Sequence, residues 1–305
     1  MGTEGDWGEA FVFKGAGSFA TQARAAKTWN AIIKFGREKK WDLRPGDITP
    51  KQMRLFLQDR AKVISPRSVQ NEASHMRRAI EGAGQVIGDL KDKKNVWSST
   101  RMSITSASRV GGKAAADPAK WEEAKKQMPS DIRAVVGLIQ ALGLRAREGI
   151  MSTDSLKEWS QGLSAPELQH PGRSGCYLEL HDGAKGDRSR HIFIPTERLQ
   201  VVQAAVENAR AVVATSKTGF LVDVEGLKEA MKFYSNTIGR LGLKGDDSGH
   251  GLRRAWAQQQ FAYYRNRGFD EKESLRRLSN DLGHGDGRGR WVWNNYLLGG
   301  TGDTA

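Results

Sequence analysis

Five short segments in the second half of the chain carry side chains that can act on a phosphate ester. Arg145 follows an apolar stretch that ends in Gly143, while His250 and Arg253 are spaced three apart and so share one face of a helix. Guanidinium groups bind phosphate oxygens through paired donors, and histidines can accept or donate a proton. The other three segments contain a glycine-flanked lysine, a histidine after a Leu-Gly pair and a tyrosine among aromatic residues: Lys185, His284 and Tyr296.

Each of these segments also has a structural explanation when it is taken alone. An arginine at a helix end often interacts only with carbonyl groups, a loop lysine is usually a surface residue, and a tyrosine in an aromatic helix is more often part of the core. The functional interpretation therefore depends on the whole set and on its order along the chain.

The charge of the chain indicates a polyanionic partner. It has 48 Lys and Arg against 35 Asp and Glu, a net charge of +13, and an isoelectric point near 9.9. Residues 1–113 hold 21 basic and 11 acidic residues, so most of the excess lies in the first third of the chain. Lysine and arginine release counterions from a phosphate backbone, which favours DNA or RNA, although solvated basic faces give the same balance.

Other composition features restrict the class of protein. No apolar run approaches the roughly 18 residues that a membrane-spanning helix needs, and the N-terminal residues lack a signal-peptide pattern. The single cysteine, Cys176, cannot form an internal disulfide, and no Cys/His cluster has zinc spacing. We therefore expect a cytoplasmic protein.

The apolar periodicity predicts a helical first half and a mixed second half. Thr49 before Pro50 predicts one helix start, and Ser65 before Pro66 predicts another. Two strands with a hairpin loop between them are predicted around residues 176–181 and 191–194. Helices are predicted in the second half at about residues 131–142, 197–214, 225–241, 250–267, 270–282 and 290–298.

The composition also predicts the domain organisation. A polar segment rich in Ser, Thr, Gly and Lys interrupts the apolar pattern near residue 100. We therefore expect four regions: a flexible arm at 1–17, a helical core DNA-binding domain at 18–100, a linker at 101–118 and a catalytic domain at 119–305.

Taken together, the motifs resemble those of the tyrosine recombinase (phage-type integrase) family. The segment 142–148, Leu-Gly-Leu-Arg-Ala-Arg-Glu, is similar to the arginine box of that family, and Lys185 before Gly186 is similar to its hairpin lysine. The segment 250–253 matches the family's His-x-Leu-Arg pattern, and the segment 282–284 matches its Leu-Gly-His pattern. The resemblance covers the predicted catalytic domain, whereas the first half is similar to the family's core-binding domain only in its pattern of basic helices.

The resemblance implies a fold, an activity and a set of residue roles. The fold would be mostly α with a small β-sheet, in two domains that form a clamp on double-stranded DNA. The enzyme would cleave and rejoin DNA through a 3′-phosphotyrosyl intermediate, as a homotetramer on paired sites, to integrate or excise a mobile element. It would be nucleoid-associated and would need no metal and no other cofactor. The implied catalytic residues are Tyr296 as nucleophile, Arg145 and Arg253 on the phosphate, His250 and His284 as proton acceptor or donors, and Lys185 as general acid.

Further residues would support that chemistry. Glu148 would orient an arginine or a helix end, while Trp256, Trp291 and Trp293 would pack in the core or between subunits. Six arginines are interpreted as contacts to the DNA backbone, namely Arg77, Arg78, Arg147, Arg254, Arg288 and Arg290.

The sequence departs from the family at the nucleophile. Tyr296 lies twelve residues after His284, a longer spacing than in familiar members, and the glycine-rich segment 285–289 could absorb the difference. Tyr263 and Tyr264 precede His284 and are expected on the helix of His250. Tyr296 is therefore favoured by elimination as well as by pattern.

Three alternatives stay open at this point. A type IB topoisomerase-like enzyme uses the same residue types to relax DNA without exchanging strands, and a protein of the same fold could bind DNA without activity. An unrelated basic helical DNA-binding protein would not explain the ordered motifs. The sequence also leaves open whether accessory DNA-bending or directionality proteins take part.

Overall fold

A computed structural model describes residues 19–105, 114–164, 168–170, 173–183 and 189–297 of the chain. The chain divides into two compact units, Met1–Ser108 and Arg109–Ala305, which we call the first and second units. The predicted arm at residues 1–17 and the predicted general acid Lys185 lie outside the described residues. Within the described residues, no helix is both long and apolar enough to cross a membrane.

The described part of the first unit is helical. Its helices are α1 (Phe19–Glu38), α2 (Pro50–Arg60) and α3 (Pro66–Gly82), with a short 3₁₀ turn at Pro45–Asp47 before α2. Both predicted helix starts are confirmed, because the Thr49 and Ser65 side chains cap α2 and α3. Thr49 and Gln52 form a reciprocal capping box, which satisfies two backbone donors at the start of the helix.

One apolar core holds the first unit together. Its largest fully buried members are Trp29, Ile32, Ile48, Met53 and Phe56. Met102, which falls inside the segment predicted as a linker, is 1% exposed and belongs to this same core.

The second unit combines helices with a small antiparallel sheet. Its helices are α4 (Pro118–Lys126), α5 (Ser130–Leu142), α6 (Ala146–Ile150), α7 (Ser155–Ser164), α8 (Leu199–Thr215), α9 (Leu227–Arg240), α10 (Gly249–Asn266), α11 (Glu271–Asp281) and α12 (Gly289–Val292). A π-helical turn at Trp293–Leu297 follows α12 directly. The strands β1 (Leu168–His170), β2 (Arg173–Leu180) and β3 (Arg190–Pro195) lie in sequence order.

Strand β2 is the centre of the sheet and fixes its register. It pairs with β3 so that Cys176 lies opposite Ile194 and Leu180 opposite Arg190, and it pairs with β1 so that Leu168 lies opposite Gly175. The mostly helical fold class is confirmed, as are the two predicted strands. The strand β1 and the helices α4, α6 and α7 were not predicted, because each spans ten residues or fewer and so gives little apolar periodicity.

Helix α5 forms the centre of the second unit. Eight of its thirteen residues are buried, which is typical of a helix that is surrounded by other elements. It packs against α8 and α10, and its C-terminal end leads directly into the segment that contains Arg145.

Candidate active site

A tight corner between α5 and α6 places Arg145. Helix α5 ends at Gly143, whose φ of +64° lies in the left-handed region that glycine adopts readily. A Cβ atom at this position would also collide with the ring of Trp256, so the corner excludes larger residues for two reasons. Arg145 follows as the residue that caps α6.

Glu148 lies fully buried beneath this corner and contacts three guanidinium groups. Its carboxylate accepts hydrogen bonds from Arg145 and, at 2.6 and 2.8 Å, from both terminal nitrogens of Arg190. Nη1 of Arg253 lies 3.5 Å from its Oε2 atom. The backbone N–H of Arg145 also donates to Oε2, at 2.7 Å.

This surrounding charge keeps Glu148 ionised. Burial by itself would raise its pKa, but the hydrogen bonds and charges of Arg190, Arg253 and Arg145 outweigh that effect and lower the pKa to about 2. Three arginines and one carboxylate therefore leave an excess of two positive charges at this corner.

Arg253 is fully buried in α10 and connects three segments of the unit. Its Nη1 donates to the carbonyl of Gly143, its Nη2 donates to the carbonyl of Leu282 at 2.6 Å, and its Nε lies 3.3 Å from the Tyr296 hydroxyl. Burial lowers the pKa of this guanidinium to about 10, so Arg253 remains positively charged at neutral pH.

His284 and Tyr296 meet beside Arg253. The Asp270 side chain caps the start of helix α11, and the chain turns at Gly283 with φ of +69°. Nε2 of His284 lies 3.3 Å from the Tyr296 hydroxyl. The ring of Trp291 packs 4.4 Å from the ring of His284, centroid to centroid, which holds the imidazole in place.

His250 lies on the exposed side of this cluster. His250 precedes Arg253 by one turn of α10, and its ring centroid is 5.7 Å from that of Tyr296. The structure therefore brings together five of the predicted catalytic side chains, with Glu148 behind them. These are Arg145, His250, Arg253, His284 and Tyr296.

The long spacing between His284 and Tyr296 has a structural explanation. Gly285 and Gly287 both adopt positive φ, at +76° and +79°, so the extra residues form a compact turn. The π-helical turn that contains Tyr296 then directs this side chain inward, where it is 1% exposed. From the sequence pattern alone, the glycine-rich segment is predicted only as a loop, and the segment around Tyr296 only as a regular helix.

The six arginines interpreted as DNA contacts occupy different environments. Arg78 in the first unit and Arg147, Arg288 and Arg290 in the second are exposed. Arg77 and Arg254 are instead buried, at 8% and 3% exposure.

Arg254 bonds to its own chain. Its Nε donates to the carbonyl of Ala114 at 2.8 Å, its Nη2 donates to the carbonyl of Asp246, and it forms an ion pair with the Asp246 carboxylate. The backbone N–H of Ala116 also donates to the carbonyl of Gly251. Arg254 thus ties the segment before α4 to the start of α10, and its burial removes it from the candidate phosphate contacts.

Sequence reasoning missed Arg190. The predicted strand began one residue later, yet Arg190 alternates with Ile192 and Ile194 on the buried side of β3. A charged residue in phase with an inward-facing apolar pair is an unusual feature of a strand, and this period of two is the signal that could have identified it.

Asp281 was also missed, and it links three elements behind the site. Its carboxylate accepts hydrogen bonds from Tyr264 at 2.6 Å and Gln260 at 3.2 Å, both on α10, and from the backbone N–H of Phe193 on β3 at 3.3 Å. No local sequence pattern marks this residue, because its partners are distant along the chain.

Comparison with known proteins identifies the family. A family model described as integrase matches residues 103–259, just over half of the chain. The matched segment includes Arg145, Lys185, His250 and Arg253 and ends before His284 and Tyr296. No curated protein sequence matches the chain significantly.

Solved structures agree in fold. A lambda integrase dimer bound to a COC′ core site is 18% identical with a TM-score of 0.60, covering 99% of this chain and 79% of that one. A lambda integrase tetramer bound to a Holliday junction is 17% identical with a TM-score of 0.59, covering 98% and 78%. The Tn1549 transposon integrase in complex with transposon right end DNA is 12% identical with a TM-score of 0.53, covering 98% and 94%.

At these low identities the solved structures show only that the fold is similar. Membership of the family is shown by the match of the integrase model to more than half of the sequence. The chain therefore belongs to the tyrosine recombinase (phage-type integrase) family of DNA strand-exchange enzymes.

Proposed function

We propose that the second unit cleaves and rejoins DNA with Tyr296 as the nucleophile. The observation that carries this proposal is the position of the Tyr296 hydroxyl, 3.3 Å from both Nε of Arg253 and Nε2 of His284. A nucleophile, a phosphate-binding donor and a proton-transfer group are thus already within reach of one another in a single chain.

In the proposed step the phenolic oxygen of Tyr296 attacks the scissile phosphorus. A bond from oxygen to phosphorus forms, the bond to the 5′ oxygen of DNA breaks, and a 3′-phosphotyrosyl ester results. His250 or His284 accepts the phenolic proton, and Lys185 protonates the departing 5′ oxygen. The ester retains the bond energy, so attack by a 5′ hydroxyl can rejoin the strand without ATP.

The electrostatics of the site support this step. Negative charge accumulates on the non-bridging phosphate oxygens in the transition state, and Arg145 and Arg253 are the donors that would receive it. The two excess positive charges around Glu148 lie in a region shielded from water, where they act more strongly than at the surface.

DNA must reach this site from its partly exposed side. Arg253 and Tyr296 are 0% and 1% exposed, whereas His250 is exposed and a quarter of the Arg145 side chain is accessible. We infer that the phosphate enters beside Arg145 and His250 and that side chains covering Tyr296 shift when DNA binds.

The enzyme is a site-specific recombinase by family, and we propose that it exchanges strands as a homotetramer assembled on two DNA sites. The lambda integrase dimer on a core site and tetramer on a Holliday junction support this assembly. The Tn1549 transposon integrase supports a role in integrating or excising a mobile element. Exposed Arg78, Arg147, Arg288 and Arg290 are the proposed backbone contacts.

A covalent trap tests the proposal. Purified protein is mixed with nicked duplexes that cover the boundaries of its own genetic neighbourhood, and products are separated on a denaturing gel. Wild type is compared with Tyr296→Phe and with Tyr263→Phe, a matched control on α10, after DNA binding by all three is verified.

An adduct is expected with wild type and Tyr263→Phe and not with Tyr296→Phe. An adduct that persists in Tyr296→Phe would overturn the choice of nucleophile, and tight binding without any adduct would indicate an inactive DNA-binding protein. Exchange of strands between two labelled sites then separates a recombinase from an enzyme that only relaxes supercoiled DNA.

A further inference from the structure

We propose that Arg190 is a positioning residue for DNA cleavage, which holds the two phosphate-binding arginines through the acceptors that they share with it. This inference rests on the proposed function, because it assigns Arg145 and Arg253 to the phosphate. Arg190 belongs to β3, an element that contributes no other side chain to the cluster around Tyr296 in the described residues.

Arg190 is buried, and its hydrogen bonds are to other protein groups. Its side chain is 6% exposed, and each of its three nitrogens donates to a protein acceptor. Nη1 and Nη2 bind the two oxygens of Glu148 in parallel, and Nε donates to the backbone carbonyl of Asp281 at 2.9 Å. Arg145, by contrast, is a quarter exposed and has donors left for a phosphate.

The first shared acceptor is the Glu148 carboxylate. A fully buried carboxylate with four acceptor positions would draw both catalytic guanidinium groups onto itself if nothing else occupied them. Arg190 fills one position on each oxygen. Arg145 then binds the carboxylate through one side-chain nitrogen and Arg253 stays 3.5 Å away, so Glu148 does not take up all the donors of either guanidinium group.

The second shared acceptor is the backbone around Leu282. Its carbonyl accepts hydrogen bonds from Arg253 at 2.6 Å and from Arg145 at 3.5 Å. Arg190 holds the preceding carbonyl, that of Asp281, and packs against Gly283, where a Cβ atom would lie 2.6 Å from its Cδ. Arg190 therefore contacts the Glu148 carboxylate and the backbone next to Leu282, the two acceptor groups that Arg145 and Arg253 also contact.

The test compares Arg190→Gln, Arg190→Lys, Glu148→Gln and the double variant Arg190→Gln/Glu148→Gln with wild type. Arg210→Gln is the matched control, because Arg210 forms a surface ion pair with Glu207 in the same unit. Single-turnover adduct formation on nicked duplexes is measured together with DNA affinity, well below the melting temperature of each variant.

Arg190→Gln is expected to slow adduct formation about 10²-fold, the effect of misplacing a reacting group by about 1 Å, with DNA affinity unchanged. Arg190→Lys keeps the charge without the paired donors and should be intermediate. The loss in the double variant should be smaller than the product of the two single losses, because Arg190 acts partly through the Glu148 carboxylate. Arg210→Gln should match wild type.

Several outcomes overturn the inference. These are a wild-type rate in folded Arg190→Gln or Arg190→Lys, rate losses that multiply in the double variant, or a loss of affinity equal to the loss of rate. If Arg190→Gln does not fold, the Arg190→Lys variant decides. An absent adduct in wild type that binds DNA would instead refute the proposed function, and this inference with it.

Discussion

In the first unit, positive charge lies at the surface, whereas the second unit buries several arginines among carbonyl and carboxylate acceptors. Of the described lysines and arginines in the first unit, only Arg60 and Arg77 are not exposed. In the second unit Arg190, Arg253 and Arg254 are all buried and bonded to named acceptors. Net charge therefore marks where a polyanion can bind, while a few buried arginines mark where geometry is controlled.

The difference follows from what each task demands. Attraction to a phosphate backbone needs charge near the surface and tolerates mobile side chains, since counterion release depends little on orientation. Phosphoryl transfer needs donors fixed to within fractions of an ångström, which requires partners for every buried donor. In the second unit, buried arginines have such partners in Glu148 and a few backbone carbonyls.

The largest expected effect separates binding from chemistry at Lys185. Lys185→Ala should retain DNA binding and slow adduct formation by about 10² to 10⁴-fold, the usual range for a lost general acid. A substrate with a better leaving group at the 5′ position should recover most of the rate. No recovery would remove the general-acid role from Lys185.

Buried arginines in the two units should respond differently to removal. Arg190→Met leaves Glu148 without its main partner and should lower the free energy of unfolding by about 3 to 5 kcal/mol. Arg77→Met should be neutral or slightly stabilising, because Nε and Nη2 of Arg77 have no hydrogen-bond partner in the described part of the chain. Chemical denaturation measures both, and equal losses would contradict the comparison.

Acid should weaken the second unit through Glu148. Its pKa is about 2 in the folded protein, below the unfolded value, so its stabilisation is complete above about pH 4.5 and disappears as pH falls towards 2. The difference in unfolding free energy between wild type and Glu148→Gln should therefore narrow over this window. A difference that stays constant down to pH 3 would mean that Glu148 is not held ionised by the three arginines.

The smallest expected effect contrasts two arginines that looked equivalent in the sequence. Arg288→Gln should reduce the salt dependence of DNA binding by about one unit of slope, as the loss of one phosphate contact does. Arg254→Gln should leave that slope unchanged and lower the melting temperature instead, since Arg254 ties Ala114 to α10. Equal slopes for the two variants would place Arg288 away from DNA.

Local patterns were sufficient to predict much of the fold and the side chains that meet around Tyr296. The helix starts at Thr49 and Ser65 were predicted correctly, because capping depends on atoms within a few residues. The apolar spacing predicted α5 and α10. The motif order predicted Arg145, Arg253, His284 and Tyr296 as site residues, and the structure brings their side chains together.

What the sequence determined by itself was the family chemistry and the elements that carry it. Tertiary structure decided which arginines are exposed, since Arg254 is buried whereas Arg290 is exposed. It also decided the hydrogen-bond partners of Arg190 and Asp281, which include residues 42 and 88 positions away in the chain. The physical reason is that helix caps and periodicity depend on near neighbours, whereas the burial and pairing of a charge depend on every element packed around it.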